Sequence, residues 1–504
     1  MQLSDWIIII LYLVAMLGIG FFAKGKIQTM DDFILGGKRF GKVALIGTIV
    51  ATMVGSGMTM GAVGTAYNNG STSTVPWMYF GFSVGLIVMG LIAPQVRETN
   101  ARSIAEIMNI KFGKPARLAM ACLVTFYAVA MVAINIAGLR TVIINCFGFP
   151  ADKLVLATVI AAGIAILYTS IGGMYAVVWT DVAQFAIMFL GVFVLGPILG
   201  VSQAGGISVM EETMQALGKS LTNPFACGIS SSMIGMMLSY FLCSPGDPTM
   251  PQRALAAKDG KSAKFSFLVA GGIGFWMGIA LILIGVAVRV IMPEIADNNA
   301  VLPMWILSYY PPVVRGFVIA GLIAAIMSSF DSFLILGTTH LMYDLGRSIN
   351  PKLKDETIKK SLPYTTIAFG IVGIIIALYI TSLFDFLYMV FSIMGAAICP
   401  ALFAAVLFRD KVSSFGATAS IITGIVVAGG LYLTVGYNVF LGDPIILALI
   451  ASLRTKSLLP RSRRKPKPAA LINKHSLSLP AFFKAYGART VVRAPYQTTR
   501  SYSL

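Results

Sequence analysis

The chain has 504 residues, of which 57% are hydrophobic and only 12% are charged, whereas soluble domains carry about 25% charged residues. Apolar runs of about 20 residues recur along its length, and such a run is long enough to cross a bilayer as a helix. Transmembrane strands would be shorter and would alternate apolar with polar residues. The composition therefore excludes a soluble protein and predicts an all-α polytopic membrane protein.

The formal charge of +18 does not indicate a nucleic-acid partner, because much of it lies in one terminal segment. Residues 454–504 contain 12 Lys and Arg residues and no acidic residue, so the rest of the chain carries only +6. The five cysteines are scattered without metal-ligand spacing, and there are only two histidines. We therefore expect no disulfide framework and no metal centre, and the pattern argues against a membrane enzyme.

The apolar runs predict 12 to 13 transmembrane helices, counting a short last run. The first begins at Trp6 without a signal-peptide cleavage pattern, so we expect a retained helix. The last stops at Leu453 after ten residues, which is too short to cross a membrane. The predicted spans are 5–23, 43–67, 76–96, 116–146, 153–171, 178–200, 228–248, 266–292, 314–345, 364–382, 385–408, 415–437 and a stub at 442–453.

Basic residues are concentrated in alternate connections between the predicted spans. Together those connections contain 21 Lys and Arg residues, against five in the opposite connections and the adjoining helix ends. The positive-inside rule then places the N-terminus outside and the C-terminal tail inside the plasma membrane. The basic-rich connections are 24–42, 97–117, 253–264, 347–360 and 409–411.

The C-terminal tail, residues 454–504, changes abruptly from apolar to basic sequence. One interpretation is a disordered segment held near anionic membrane lipid. The other is a last helix replaced by unrelated sequence. Under either interpretation, the tail is left out of the functional reasoning.

The second predicted span contains four closely spaced glycines: Gly55, Gly57, Gly61 and Gly64. Each glycine weakens a helix by about 1 kcal/mol relative to alanine, so the span is prone to break there. A break would free backbone carbonyl groups, which suit a hard cation such as sodium, and it is tolerated only where it lines a protein cavity. Close helix packing through small residues is the alternative explanation.

The seventh predicted span is also polar and interruptible, with Ser230–Ser232, Gly235, Ser239 and Ser244–Gly246. If spans 2–6 and 7–11 form two inverted five-helix repeats, spans 2 and 7 occupy corresponding positions. Interrupted helices at matching places in two inverted halves indicate a transporter binding site. The predicted organisation is 1–42 first helix and basic loop, 43–203 first repeat, 204–411 second repeat, 412–453 additional helices and 454–504 tail.

The ninth predicted span carries an oxygen-rich segment. Ala325, Ser328, Ser329 and Ser332 fall on one helix face, and Asp331 lies on its flank. An acid inside a membrane helix is costly unless it is paired or hydrated, so Asp331 is a functional candidate. Hydroxyls and a carboxylate together predict a site for a monovalent cation, although such serines also bond to their own helix. Asp181 stands at the start of the sixth predicted span, and taken by itself it is better explained as a helix cap.

The chain resembles the sodium:solute symporter family over about residues 5–450. The most specific resemblance is the stretch Gly172-Gly173-Met174 to Thr180-Asp181 and Gln184. It is supported by the Ala324-Ala325 to Ser328-Ser329 segment and by Gln252-Arg253 to Lys258. The resemblance implies a leucine-transporter-type fold that imports a small organic solute with Na⁺ as the coupling ion.

The resemblance also implies roles for individual residues. The main sodium site would use the carbonyl groups of Ala51, Val54 and Ala325 and the hydroxyl groups of Ser328 and Ser329. A second cation site would use Asp181, Ser332 and Asp331, where other members often carry a neutral residue in place of Asp331.

Residues near the broken segment also offer a solute pocket, although packing explains them equally well. The candidates are Ser56, Gly57, Met58, Thr59 and Ser239. Sugar-type members carry long polar side chains where Gly57 and Met58 stand, and proline-type members an acid where Met53 stands. Both departures argue against those substrates. A proton-coupled symporter and a non-transporting sensor or partner subunit are the alternative functions, and the sequence does not define the oligomeric state.

Overall fold

The computed structural model describes residues 1–24, 28–408, 412–434 and 444–458. Within these ranges the chain is helical, and pairing of extended backbone is limited to two isolated bridges. The α-helices are α1 Leu3–Lys24, α2 Met30–Leu35, α3 Lys42–Met53, α4 Ala62–Asn69, α5 Val75–Glu98, α6 Ile104–Phe112, α7 Lys114–Phe147, α8 Leu154–Met188, α9 Gly196–Gln203, α10 Ile207–Ala216, α11 Ser231–Gly246, α12 Thr249–Ala256, α13 Gly260–Ile291, α14 Val301–Tyr309, α15 Val314–Thr339, α16 Gly346–Ile349, α17 Asp355–Ala377, α18 Leu383–Leu407, α19 Ser414–Thr434 and α20 Pro444–Leu458. Segments Gly57–Gly61, Phe189–Leu195 and His340–Leu345 are π-helical, and Gly36–Lys38, Ala151–Lys153 and Asn298–Ala300 are 3₁₀ turns.

The predicted all-α membrane architecture is confirmed. In the described ranges, nine helices are long and apolar enough to cross a bilayer, or ten if α3 and the bent segment after it count as one. The remaining predicted spans correspond to shorter helices, including α11 and the predicted stub, which continues in α20 to Leu458. The tail from residue 459 onward lies outside the described residues. The inverted repeat remains a prediction.

The predicted break in the second span is confirmed, and it follows α3 directly. Val54 leaves the helical region with φ −104° and ψ 56°, and the helix axes on either side meet at 65°. There is no room for a side chain at position 55, because a Cβ atom added to Gly55 would lie 2.9 Å from Asn135 Oδ1. Gly64 acts differently, since its Cβ would meet the Asn298 carbonyl oxygen at 2.1 Å. Both explanations of the glycines therefore hold, the break at Gly55 and close packing at Gly64.

The predicted fifth and sixth spans meet within α8, at Gly173. Its φ of 52° is left-handed, and an added Cβ would lie 2.8 Å from the Phe33 ring, so both backbone conformation and space favour glycine. Helical structure resumes directly after this residue rather than at the predicted position 178. Asp181 consequently lies inside a helix and does not cap one, which corrects the helix-start interpretation of this residue.

Small residues allow three central helices to pack closely. A Cβ atom added at Gly81 of α5 would lie 2.1 Å from the Met237 carbonyl oxygen of α11. Gly278 of α13 similarly faces the Tyr79 ring, where an added Cβ would lie 2.6 Å from Tyr79 Cβ. Such close backbone approach is typical of membrane helix interfaces, where van der Waals packing replaces the hydrophobic effect.

We expect Gly81→Ala to lower the melting temperature of the detergent-solubilised protein by several degrees, because overpacking a tight contact costs about 1–3 kcal/mol. Gly272→Ala on α13 is the matched control, since nothing lies within 4 Å of the added methyl group. The control variant should melt at or slightly above the wild-type temperature, because alanine favours helix. Equal melting of both variants would contradict the close α5–α11 contact.

Candidate functional site

The end of α3 and the middle of α15 form a compact group of oxygen atoms, called here the oxygen cage. Ser328 Oγ lies 2.9 Å from the Ala51 carbonyl oxygen and 3.0 Å from that of Ala325. Ser329 Oγ lies 2.9 Å from the Thr52 carbonyl oxygen and 3.4 Å from that of Ala325. All five residues are buried. The break after α3 thus leaves carbonyl groups that the α15 hydroxyls reach.

The structure places the predicted sodium ligands as follows. Ser328 bonds to the carbonyl groups of Ala51 and Ala325, and Ser329 also reaches that of Ala325. Val54 lies at the turn itself, and its N–H donates to the Ala51 carbonyl at 3.3 Å. Gly55, the next residue, packs against Ser329, because a Cβ there would lie 3.2 Å from Ser329 Oγ. The carbonyl of Thr52 was not predicted, although the same glycine-rich segment exposes it.

The donor set of the oxygen cage suits a hard monovalent cation. Every candidate ligand atom is an uncharged carbonyl or hydroxyl oxygen, and hard cations prefer oxygen ligands. A hydroxyl oxygen keeps two lone pairs besides its proton, so Ser328 and Ser329 can accept an ion instead of donating to the carbonyl groups. Neutral oxygens separated by about 3 Å therefore fit the assignment of the cage as a sodium site.

A second polar group surrounds the fully buried guanidinium of Arg253, which comes from α12. Its Nη2 lies 2.7 Å from Ser332 Oγ and 3.4 Å from Asp181 Oδ2, and it also bonds to Thr52 Oγ1. The same Asp181 oxygen accepts from Thr48 Oγ1 at 2.5 Å. The structure thus brings Asp181 and Ser332 together through Arg253, a protein cation that sequence reasoning did not assign to the site.

Asp331 is held separately from the Arg253 group. Its Oδ1 accepts from Thr169 Oγ1 at 2.5 Å, while Oδ2 is buried without a hydrogen-bond partner in the described residues. Asp181 Oδ1 and Gln184 Oε1 are likewise buried without a partner in that part of the chain. Gln184 Nε2 donates to the Tyr12 hydroxyl at 3.1 Å, so α1 contributes to this region. Across the residues that the structure describes, these three buried acceptor atoms on α8 and α15 therefore lack a donor.

A small cavity of about 10 Å³ adjoins the oxygen cage, and we call it the central cavity. This is room for about one water molecule, so the cavity would have to widen to admit an organic solute. The polar residues on its wall are Thr52, Ser56, Asn135, Asp247 and Ser329, and the aromatic ones are Phe82, Phe333 and Phe391. Because Thr52 and Ser329 belong to both the cavity wall and the cage, a solute in this cavity would lie next to the cage.

Of the predicted pocket residues, Ser56, Gly57 and Met58 line the central cavity. Thr59 and Ser239 are outside the lining set. The Thr59 hydroxyl donates to the Gly55 carbonyl at 2.9 Å, and Ser239 Oγ pairs with Ser392 Oγ at 2.8 Å. For these two residues the packing interpretation fits the structure.

Sequence reasoning missed Asn135 and Asp247 in the central cavity. Asn135 Oδ1 accepts a hydrogen bond from the Ser56 N–H at 3.1 Å. The Asn135 side chain thus supplies a partner for a backbone N–H of the broken segment. A lone amide within the apolar run of α7 was the available signal. Asp247 directly follows α11, one residue after the interruptible segment Ser244–Gly246.

Comparisons with known proteins agree with this arrangement. The sequence profile of the sodium:solute symporter family matches residues 33–424. An osmoregulated proline transporter of Bacillus subtilis is 26% identical, covering 88% of this chain and 92% of that protein. A sodium/pantothenate symporter of Haemophilus influenzae is 25% identical, covering 84% and 90%. The solved structure of a Na⁺-coupled sialic acid symporter has a TM-score of 0.75 at 20% identity, covering 91% and 97%.

We expect Arg253→Met to lower thermal stability strongly, because removing one partner of a buried ion pair costs about 3–5 kcal/mol. Adding Asp181→Asn should recover part of the loss, since the double variant leaves no uncompensated charge. Melting temperatures of the two single variants and the double variant measure this coupling. Lys360→Met is the control, because its pair with Glu356 is exposed and should contribute nothing measurable. Additive effects of Arg253→Met and Asp181→Asn would contradict the pairing.

Proposed function

Because the chain belongs to the sodium:solute symporter family, and is a sodium-coupled transporter of a small solute, we propose that the oxygen cage binds the coupling sodium. The ligands are the carbonyl groups of Ala51, Val54 and Ala325 and the hydroxyl groups of Ser328 and Ser329. The observation that carries this proposal is the direct contact of both α15 hydroxyls with the carbonyl groups freed at the end of α3.

In the proposed mechanism, sodium binding joins α3 to α15. The ion replaces hydroxyl–carbonyl hydrogen bonds with ion–oxygen contacts, which fixes the geometry of the broken segment. Thr52 and Ser329 also line the central cavity, where the solute binds. Fixing their positions therefore orders the wall of the solute site. Rearrangement of the helices then exposes ion and solute to the inside, and a membrane potential adds about 2.3 kcal/mol per charge per 100 mV.

The proposal keeps Asp181, Asp331 and Ser332 as candidate ligands of a second cation. Arg253 already neutralises one oxygen of Asp181. Asp181 Oδ1 and Asp331 Oδ2 have no hydrogen-bond partner among the described residues and remain available. A buried carboxylate oxygen without a partner is costly in a membrane interior, which favours a cation beside Asp331 during the transport cycle.

For membrane orientation, we propose an outside N-terminus and an inside C-terminal tail. Contacts between four of the five basic connections support this assignment, because they place those four on one face of the protein. Arg102 pairs with Asp31 at 2.5 Å and with Asp355 at 3.4 Å, and the Lys258 N–H donates to the Phe40 carbonyl at 3.0 Å. Connections 24–42, 97–117, 253–264 and 347–360 thus share a face, which the positive-inside rule assigns to the cytoplasm.

We expect sodium to raise the melting temperature of the wild-type protein, and the double substitution Ser328→Ala/Ser329→Ala to abolish that shift, because two cage ligands are lost. The measurement is a sodium titration at constant ionic strength with potassium as the replacement ion. Ser420→Ala is the matched control, since Ser420 is buried and bonded to Ser452 away from the cage. An unchanged sodium response in the double variant would reject this site.

The proposed orientation predicts that Cys227 reacts with a membrane-impermeant maleimide from outside intact cells. This thiol is exposed in the connection between α10 and α11, which contains one of the few basic residues assigned to the outside. Cys227→Ala should remove the external labelling. Labelling of Cys227 only in inside-out vesicles would reverse the orientation.

A further inference from the structure

We infer that the protein holds the end of a lipid acyl chain in an apolar cavity between its first helix and the helix that carries the oxygen cage. We call this space the lipid cavity. It lies between α1, α7, α8 and α15, and its volume is about 60 Å³. In the described part of the chain it shares no lining residue with the central cavity. The inference goes beyond the proposed function and does not depend on it.

The walls of the lipid cavity are apolar. Among the described residues they consist of aliphatic side chains together with Met327 and Phe147. A buried water needs about two to four polar partners and a space of about 10–15 Å³. The lipid cavity is large enough for water but offers it no side-chain hydrogen-bond donor from those residues. It therefore suits a hydrocarbon group.

The lining of the cavity would lose contacts if the space stayed empty. Ile9, Val142 and Met327 border it, and these side chains are only 2%, 1% and 3% exposed. Atoms that face a void have no dispersion partner on that side, so an apolar group that fills the void is favourable. The fold thus provides a small space that is stabilised by an apolar occupant.

The rim of the cavity faces the bilayer, which identifies the occupant. Leu13 of α1 and Ile143 and Phe147 of α7 line the cavity and are half-buried, and Val14, the next residue on α1, is 59% exposed. Both helices are long and apolar enough to cross a membrane, so these side chains meet hydrocarbon and not water. The molecules that reach the rim are membrane lipids, and they reach it with their acyl chains.

Three helix ends near the cavity lie on the same side of the protein. Asp5 at the start of α1 pairs with Arg315 at the start of α15, with 2.5 Å between Oδ2 and Nη2. The ring of Trp6 packs against that of Phe147 at the end of α7, with 4.8 Å between centroids. Depth in the membrane can therefore be counted from these ends along each helix.

The depth of the cavity matches the end of an acyl chain. Ile9 lies six residues after the start of α1, Val142 five residues before the end of α7, and Met327 13 residues after the start of α15. At a rise of about 1.5 Å per residue, the cavity extends from about 8 to about 20 Å below the helix ends. The middle of a hydrocarbon core about 30 Å thick falls within this range, and acyl chains end there.

A chain end in the lipid cavity would contact the helix that carries the oxygen cage. Met327 directly precedes Ser328, and its Sδ accepts from the Tyr12 hydroxyl of α1 at 4.0 Å. An acyl chain between Ile9 and Met327 would add to this contact and hold α15 against α1. The lipid would then be part of the packing that positions the cage.

Photolabelling tests the inference on the full-length protein in nanodiscs. The probe is phosphatidylcholine with a diazirine at the end of one acyl chain, and peptide mass spectrometry locates the attached lipid after irradiation. We expect labelling of Met327 or Val142, which are buried and which lipid reaches only by entering the cavity. Phe126, which is 63% exposed on α7, is the internal reference for labelling from the bilayer.

A variant that fills the cavity provides the comparison. Ala161 lines the cavity from α8. Ala161→Val should lower the labelling of Met327 and Val142 by about fivefold or more relative to Phe126, because a filled space does not admit further methylene groups. Ala15→Val is the matched control, since Ala15 is exposed on α1 and the same two methyl groups would face the bilayer there. The control should label as the wild type does.

Labelling of the wild type that is confined to exposed residues such as Phe126 would overturn the inference. Equal labelling of Met327 in the wild type and in Ala161→Val would overturn it as well. The wild-type result decides the question even if Ala161→Val does not fold. Sodium binding by the oxygen cage is measured separately, through sodium-dependent melting, so each proposal can fail without the other.

Discussion

The central constraint on this protein is that backbone polar groups inside a bilayer need partners within the protein. The chain interrupts α3 after Met53 and so leaves carbonyl groups that helix geometry does not satisfy. Ser328 and Ser329 of α15 reach those carbonyl groups, and Asn135 of α7 bonds to the N–H that follows the break. The broken segment is therefore stable only where α3, α7 and α15 meet, and the same contacts assemble the oxygen atoms of the proposed sodium site.

Buried charges near this junction divide into two kinds. Asp181 is paired with Arg253, whose guanidinium also bonds to the hydroxyls of Thr52 and Ser332, so this charge serves the assembly of α3, α8, α12 and α15. Asp247 and Asp331 each bond to a threonine but have no ion pair within the described ranges. A membrane interior makes such carboxylates unfavourable unless a mobile cation joins them. Fixed pairing thus stabilises the fold, and the incomplete pairing of Asp331 is consistent with the proposed second cation site.

Composition was sufficient to predict the membrane architecture, and glycine spacing was sufficient to predict the break near Val54. The position of Ser328 and Ser329 on one helix face identified them as candidate ligands. They could not identify Arg253 as the partner of Asp181, because that contact joins residues 72 positions apart. Thr59 and Ser239 show the opposite failure, since a hydroxyl in a membrane helix gives the same pattern whether it faces a cavity or bonds to a neighbour. The kink at Gly173 places the start of the helix earlier than the sequence predicted. Asp181 therefore lies inside the helix, where it makes a tertiary contact with Arg253 instead of capping the helix.

The central claim is that one sodium ion joins the end of α3 to α15. A cryo-electron microscopy map of the protein in saturating sodium, compared with a map in potassium, tests it most directly. We predict a density peak in sodium only, with the carbonyl oxygens of Ala51, Val54 and Ala325 and the hydroxyl oxygens of Ser328 and Ser329 at about 2.4 Å, within the range of oxygen–Ca²⁺ distances. Hydroxyl–carbonyl hydrogen bonds that persist in saturating sodium, with no peak between them, would contradict the claim.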